Sequence, residues 1–240
     1  MNMLRHIRRK LIFLAGDIRR EQCLGGFAWG KYHHLIDFPE ARDAQRYVDF
    51  GYVGLHRNRG DFSNIFLPGF MKHAWTFCDK DNIIEAVSEG VVPHDAFHAL
   101  MSDYAVILKP LIPRSARREA VERMRRLAEL RLPYDDKFEF DLEVEESLFA
   151  DKETAYENMK KFNLGSTCSE GVALGFVGYR RELGLYRTKL GKRQVILPDA
   201  FMSTYFEVVW ASKYTTPDNA LMLGLHEEGC SLLREYWEKQ

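Results

Sequence analysis

A cysteine placed to open a helix constrains this chain more than any other feature. Cys168 follows Gly165-Ser166-Thr167 and precedes Val172, Ala173, Leu174 and Val177, apolar residues at helical spacing. The pattern predicts an amphipathic helix from 168 to about 183 whose apolar face must be buried against another element. A thiol in a first helical turn lies beside free backbone N–H groups and the positive end of the helix dipole, both of which favour thiolate. The ordinary alternative for a lone cysteine is a small buried hydrophobe. What stands beside the thiol therefore decides between the two.

Far upstream, Lys72-His73-Ala74-Trp75 places a histidine at the start of a strand expected over 74–78. Asp79-Lys80-Asp81-Asn82 then turns the chain into Ile83-Ile84-Glu85-Ala86-Val87, a β-hairpin pattern. A histidine on a rigid strand is suited to act as a general base. Glu85, on the second strand, is placed to accept the other ring N–H and fix the tautomer. Spacing alone leaves a satisfied core histidine and a solvated edge glutamate open.

Elsewhere, 51–55 and 104–108 read as strands, and Ser115 is expected to cap a helix to 130 with Ala116, Ala120, Met124 and Leu127 on one face. Pro133-Tyr134 follows that helix. The acidic stretch 141–146 reads as surface loop, 152–162 as a helix, and 194–197 and 205–210 as strands. From Pro217 one or two helices are expected, broken near Gly229. The domain expectation is an N-terminal extension over 1–50, a main domain over 51–212 and a helical tail over 213–240.

At 240 residues, 46% hydrophobic and 29% charged, the chain can bury a core without staples. A net charge of -1 gives no argument for a nucleic-acid partner. Arg5, Arg8, Arg9 and Lys10 precede an apolar run shorter than the roughly 7 to 15 residues of a signal-peptide core. Leu4, Ile7, Leu11 and Leu14 fit a basic amphipathic helix packed on its own domain, with weak membrane-surface contact as the alternative. No stretch approaches the roughly 20 apolar residues of a membrane span. Cys23, Cys78, Cys168 and Cys230 form no CxxC pair, which points to a reducing, cytoplasmic setting. His94 and His98 are spaced to share a helix face, but no HExxH pattern or third ligand accompanies them, so no metal and no cofactor is expected. Arg180, Arg181, Lys189, Lys192 and Arg193 form a basic zone read as a solvated helix end, with phosphate binding the lesser alternative.

The order of these pieces resembles the circularly permuted branch of the NlpC-type papain-like hydrolases, the YiiX-like group. Ser63-Asn64-Ile65-Phe66-Leu67-Pro68-Gly69-Phe70 before His73-Ala74, then Ile84-Glu85-Ala86-Val87 and Glu89-Gly90-Val91, carry the resemblance, followed by Leu132-Pro133-Tyr134 and Thr167-Cys168-Ser169. It covers roughly 51–210. It implies Cys168 as nucleophile, His73 as base, Glu85 as the polar third member and Tyr134 as a wall of the site, with Phe66, Phe70 and Trp75 counted as further substrate-binding residues. Three departures stand out. The span 136–165 is longer and more acidic than the pattern, Thr167 replaces an aspartate, and Gly171 lies early in the nucleophile helix.

The resulting expectation is an α+β, permuted papain-like fold, with a small antiparallel sheet or half-barrel packed against the nucleophile helix. The expected activity is hydrolysis of an amide in a peptide, isopeptide or peptidoglycan-like linkage. Two alternatives stay open: acyl transfer or acyl hydrolysis of the lecithin retinol acyltransferase type, and a catalytically silent peptide-binding module. Oligomeric state is not legible.

Overall fold

The structure is a computed structural model that describes residues 19–20, 27–28, 34–59, 64, 67–134, 147–149, 151–161, 164–190 and 193–240. Phe66, Cys23, the basic helix expected around Leu4 to Leu14 and the acidic stretch 141–146 lie outside the described residues.

The fold is α+β. Strands β3 (Val53–Arg57), β4 (His73–Phe77), β5 (Asn82–Val87), β6 (Gly90–Asp95), β7 (Tyr104–Pro110) and β10 (Phe206–Ala211) form one antiparallel sheet in the order β10-β7-β3-β4-β5-β6. Arg19–Arg20 (β1) pairs Phe27–Ala28 (β2), and Thr188–Leu190 (β8) pairs Arg193–Val195 (β9). Seven helices accompany them among the described residues: α1 (Phe38–Ala44), α2 (Ala96–Leu100), α3 (Arg114–Glu129), α4 (Lys152–Lys161), α5 (Cys168–Gly175), α6 (Pro217–Met222) and α7 (Glu227–Trp237). None is long and apolar enough to cross a membrane.

The hairpin read from the sequence is present for the reason given there. Asp79 Oδ1 accepts the N–H groups of Asp81 and Asn82, both at 2.8 Å, and so closes the turn between β4 and β5. Gly90, at φ +106°, turns β5 into β6, and a Cβ there would lie 2.6 Å from the Leu132 carbonyl.

Side-chain alternation gives the sheet two buried faces. Val53, Leu55, Ala74, Val106 and Leu108 pack with Val172, Ala173, Cys230 and Leu233, while Ile84, Ala86 and Val91 pack with Val121, Met124, Leu127 and Leu174. On the opposite face Trp75, Phe77, Ile83, Ala105, Ile107 and Trp210 pack with Ile36, Ala41, Ala44 and Leu100. The supposed extension and tail thus contribute to the main core: α1 covers one face, and α6 and α7 supply Ala220, Cys230 and Leu233 to the other.

Three local expectations need correction. Ser115 does not cap α3; the helix starts at Arg114 behind Pro113, whose fixed φ suits a helix start. The helix opened by Cys168 stops at Gly175 and continues only as a 3-10 turn, Val177–Tyr179. The C-terminal break falls at Gly224, φ +99°, whereas Gly229 lies inside α7, its N–H bonded to the capping His226 ring at 3.1 Å.

Gly54 is the tightest point of the sheet: a Cβ there would fall 2.1 Å from the Trp75 ring. Gly54→Ala is expected to lower the unfolding free energy in urea by about 1–3 kcal/mol, as overpacking does. An unchanged denaturation midpoint would show that Trp75 can move aside.

Candidate functional site

Helix α5 begins where the sequence placed it. Thr167 is the N-cap, and its hydroxyl accepts the Glu170 N–H while the Glu170 side chain reaches back to the Thr167 N–H, each at 3.4 Å. Threonine therefore does the capping. Every residue of α5 is buried, and its small side chains allow that. A Cβ on Gly171 would meet Ser166 Oγ at 3.3 Å and Ala86 Cβ at 3.5 Å, and one on Gly175 would meet Met124 Cγ at 2.8 Å. Gly171 is thus a site of close helix-to-sheet approach.

The register of the sheet explains what the thiol meets. The β4–β5 ladder begins only at Trp75↔Glu85, so among the described residues His73 and Ala74 pair with β3 alone. At this opened end of β4 sits Cys168, its Sγ 3.9 Å from the Lys72 carbonyl and within reach of the Ala74 and Ser169 N–H groups. The His73 imidazole lies near enough to the sulfur for each group to shift the other's charge.

His73, Trp75, Glu85 and His94 share one face of the sheet, as does His56, which pairs with His73 in register. His73 Nε2 is hydrogen-bonded to Glu85 Oε2, leaving Nδ1 as the ring atom available to the sulfur. Glu85 Oε1 accepts from His94 Nδ1 at 2.5 Å. The His56 ring lies 5.1 Å from that of His73, centroid to centroid, and His56 Nδ1 bonds the Ala99 carbonyl at 3.2 Å.

These groups set one another's charge. Burial alone would push Cys168 up, but the charge and hydrogen bond of His73, with the Ala74 and Ser169 N–H groups, carry it below the ordinary thiol value. Burial would push His73 down, and the Cys168 thiolate together with Glu85 overcomes this, raising His73 to about 10. Burial opposes the Glu85 carboxylate too, yet the His73 and His94 hydrogen bonds and the nearby positive charge hold it at about 2. His56, buried and next to charged His73, is driven down to about 3 and is neutral. Cys168 and His73 titrate as a pair, each shifting the other toward its charged form.

Cys168, His73 and Glu85, expected together, are together. Tyr134 forms an isolated parallel bridge with Ser166, and Ser166 N–H bonds the Pro133 carbonyl at 3.0 Å, which places the tyrosine beside the segment entering α5. Phe70 and Trp75 are not walls of a cleft. Both are fully buried, Trp75 against Gly54 and Phe70 against Tyr104. His94 and His98 do not share a helix face: His94 is on β6 and His98 on α2, and no metal-holding cluster occurs among the described residues. The sequence reading passed over His56 and weighed His94 only as a metal ligand. Strand alternation, counted from Glu85 through the Gly90 turn to His94, was the signal that could have found the second.

Comparison of the chain with protein-family models, with curated proteins and with solved structures finds no match in any of the three.

The charge states fix a pH response. His56 is depressed from 6.5 to about 3, so between those values the unfolded chain binds a proton the folded one refuses, and stability falls as pH drops through that window. Glu85 adds to the loss below about 4.5 and down to about 2. His73 acts oppositely: its contribution is complete below 6.5 and is lost as pH rises through about 10. Urea unfolding at a series of pH values is expected to show the acid limb, with a shallower slope between 6.5 and 3 in His56→Gln. An identical limb in that variant would contradict a neutral buried His56.

Proposed function

We propose that the chain is a cysteine hydrolase of the circularly permuted papain-like kind, acting on an amide bond. The observation that carries this reading is the convergence of Cys168, at a capped helix start, with His73 on a central strand and Glu85 behind the ring. The chain order also fits: histidine strand, carboxylate strand, then a nucleophile helix packed on the same sheet.

The Cys168 thiolate attacks the substrate carbonyl, forming the S–C bond. The developing oxyanion is met by backbone N–H groups at the start of α5, that of Cys168 among them. Imidazolium His73 gives its proton to the departing amine as the C–N bond breaks. Water, deprotonated by neutral His73, then attacks the thioester, and the thiolate leaves to restore the starting pair. Glu85 holds the ring in the tautomer that aims Nδ1 at the sulfur and stabilises the imidazolium.

The amide reading is preferred to acyl transfer from lipids because the structure supplies no apolar wall at the thiol from Phe70 or Trp75, both of which lie in the core. The test runs the purified chain in parallel on peptide and isopeptide amides and on phospholipid and thioester acyl donors. Amide turnover is expected, with Cys168→Ala lowering it on the order of 10³-fold or more and Glu85→Gln lowering it less. Cys168-dependent turnover of the acyl donors alone would overturn the substrate class. A limiting thiol electrophile that labels Cys23, Cys78 or Cys230 as readily as Cys168, together with no turnover, would favour a silent binding module.

A further inference from the structure

His94 belongs to this cluster, yet the hydrolase reading gives it no task. It lies on the edge strand β6, opposite Ile83 and hence diagonal to Glu85 on the same face. Its neighbours fix it. Pro93 restricts the backbone before it, and Asp95 after it caps α2, accepting the His98 N–H at 3.0 Å. Its side chain is 48% exposed, whereas that of Glu85 is 11% exposed. The histidine therefore reaches inward from the surface to one oxygen of a buried carboxylate whose other oxygen serves His73.

A carboxylate held through one oxygen can swing about its terminal torsion, which is broad and soft. Held through both, it presents a fixed lone pair. We propose that His94 is a positioning residue, holding Glu85 Oε1 so that Oε2 stays on the His73 ring and the ring stays aimed at Cys168. This rests on the thiol hydrolase reading for its purpose, but its geometry does not need turnover to be tested. A purely structural role, tying the sheet edge to its neighbour, would stabilise the fold and leave the thiol indifferent. The two roles differ in whether the effect of His94 passes through Glu85.

The experiment uses the full chain and iodoacetamide, following alkylation of Cys168 by mass spectrometry across pH 5 to 9, with the other cysteines as internal controls and thermal melting as the fold control. His94→Ala is expected to slow Cys168 alkylation at neutral pH on the order of 10-fold, the scale of lost outer hydrogen bonds at ligated histidines. In a Glu85→Gln background the same substitution should add nothing, because its effect passes through Glu85. His94→Asn, whose amide can donate from nearly the same place, should restore the rate. Alkylation at the parent rate, or a slowing that multiplies with that of Glu85→Gln, would overturn the inference. If Cys168 in the parent chain reacts slowly and ignores His73→Ala, the hydrolase reading fails by itself. The inference is then read from the downfield Nε2–H proton resonance of His73: lost in His94→Ala and regained in His94→Asn supports it, and unchanged in both overturns it.

Discussion

The site depends on keeping one carboxylate ionised inside the protein. Glu85 is 8% exposed, and an unpaired charge at that depth would be neutralised by protonation. It stays charged because two imidazoles donate to it, one on each neighbouring strand. That arrangement fixes much else. It requires a β4–β5–β6 meander in which residues 73, 85 and 94 share a face, and it requires the β5–β6 turn to close at Gly90. A one-residue slip in either ladder would send Glu85 to the face packed against α5 and leave it unpaired in the apolar cluster there.

The thiol is governed by a second constraint, the depth to which α5 can sink. Eight consecutive buried residues are possible only because the helix is short and uses Gly171, Ala173 and Gly175 where it meets the sheet and α3. Larger residues would lift the helix and withdraw the sulfur from the main-chain groups at the open end of β4. The same burial that opposes a thiolate also excludes water from the pair, so His73 and the N–H groups of Ala74 and Ser169 act at full strength. Capping by Thr167 and Glu170 satisfies backbone N–H groups at the helix start.

The elements that were legible in the sequence are those whose causes are local. The Asp79 to Asn82 turn, the apolar stripe of α3 and the cysteine at the start of α5 each follow from residues a few positions apart. What escaped depended on pairing across strands. Trp75 reads as a substrate-binding residue beside His73 until Gly54 is seen opposite it, vacating the space its ring fills. His94 and His98 read as one helical face because the spacing fits; Pro93 sits before His94 and Asp95 offers a cap after it, so the chain changes from strand to helix between them. His56 had no local mark at all. Its role comes from register with His73 and from burial, neither of which is encoded within a few residues.

The approach to His73 shows why the C-terminal segment belongs to this domain. Residues 69–72 precede the strand and have few backbone partners of their own, yet the strand start must be fixed if the imidazole is to be. Asp199 supplies the fixing, with Oδ2 and Oδ1 accepting the Phe70 and Met71 N–H groups, each at 2.6 Å. Gly69, at φ +89°, keeps its backbone clear of that carboxylate, where a Cβ would fall 2.2 Å from Oδ2. Lys72 folds back onto the Leu67 and Gly69 carbonyls, and Arg57 links Gly69 and Phe70 to the Leu223 carbonyl at the end of α6. His226, the cap of α7, closes the circuit by bonding the Asp199 carbonyl at 3.1 Å. The helices after β10 therefore act on the geometry of His73 through Asp199 and Leu223. A histidine can be held at the open end of β4 because a segment well over a hundred residues downstream replaces the pairing that β5 does not provide there.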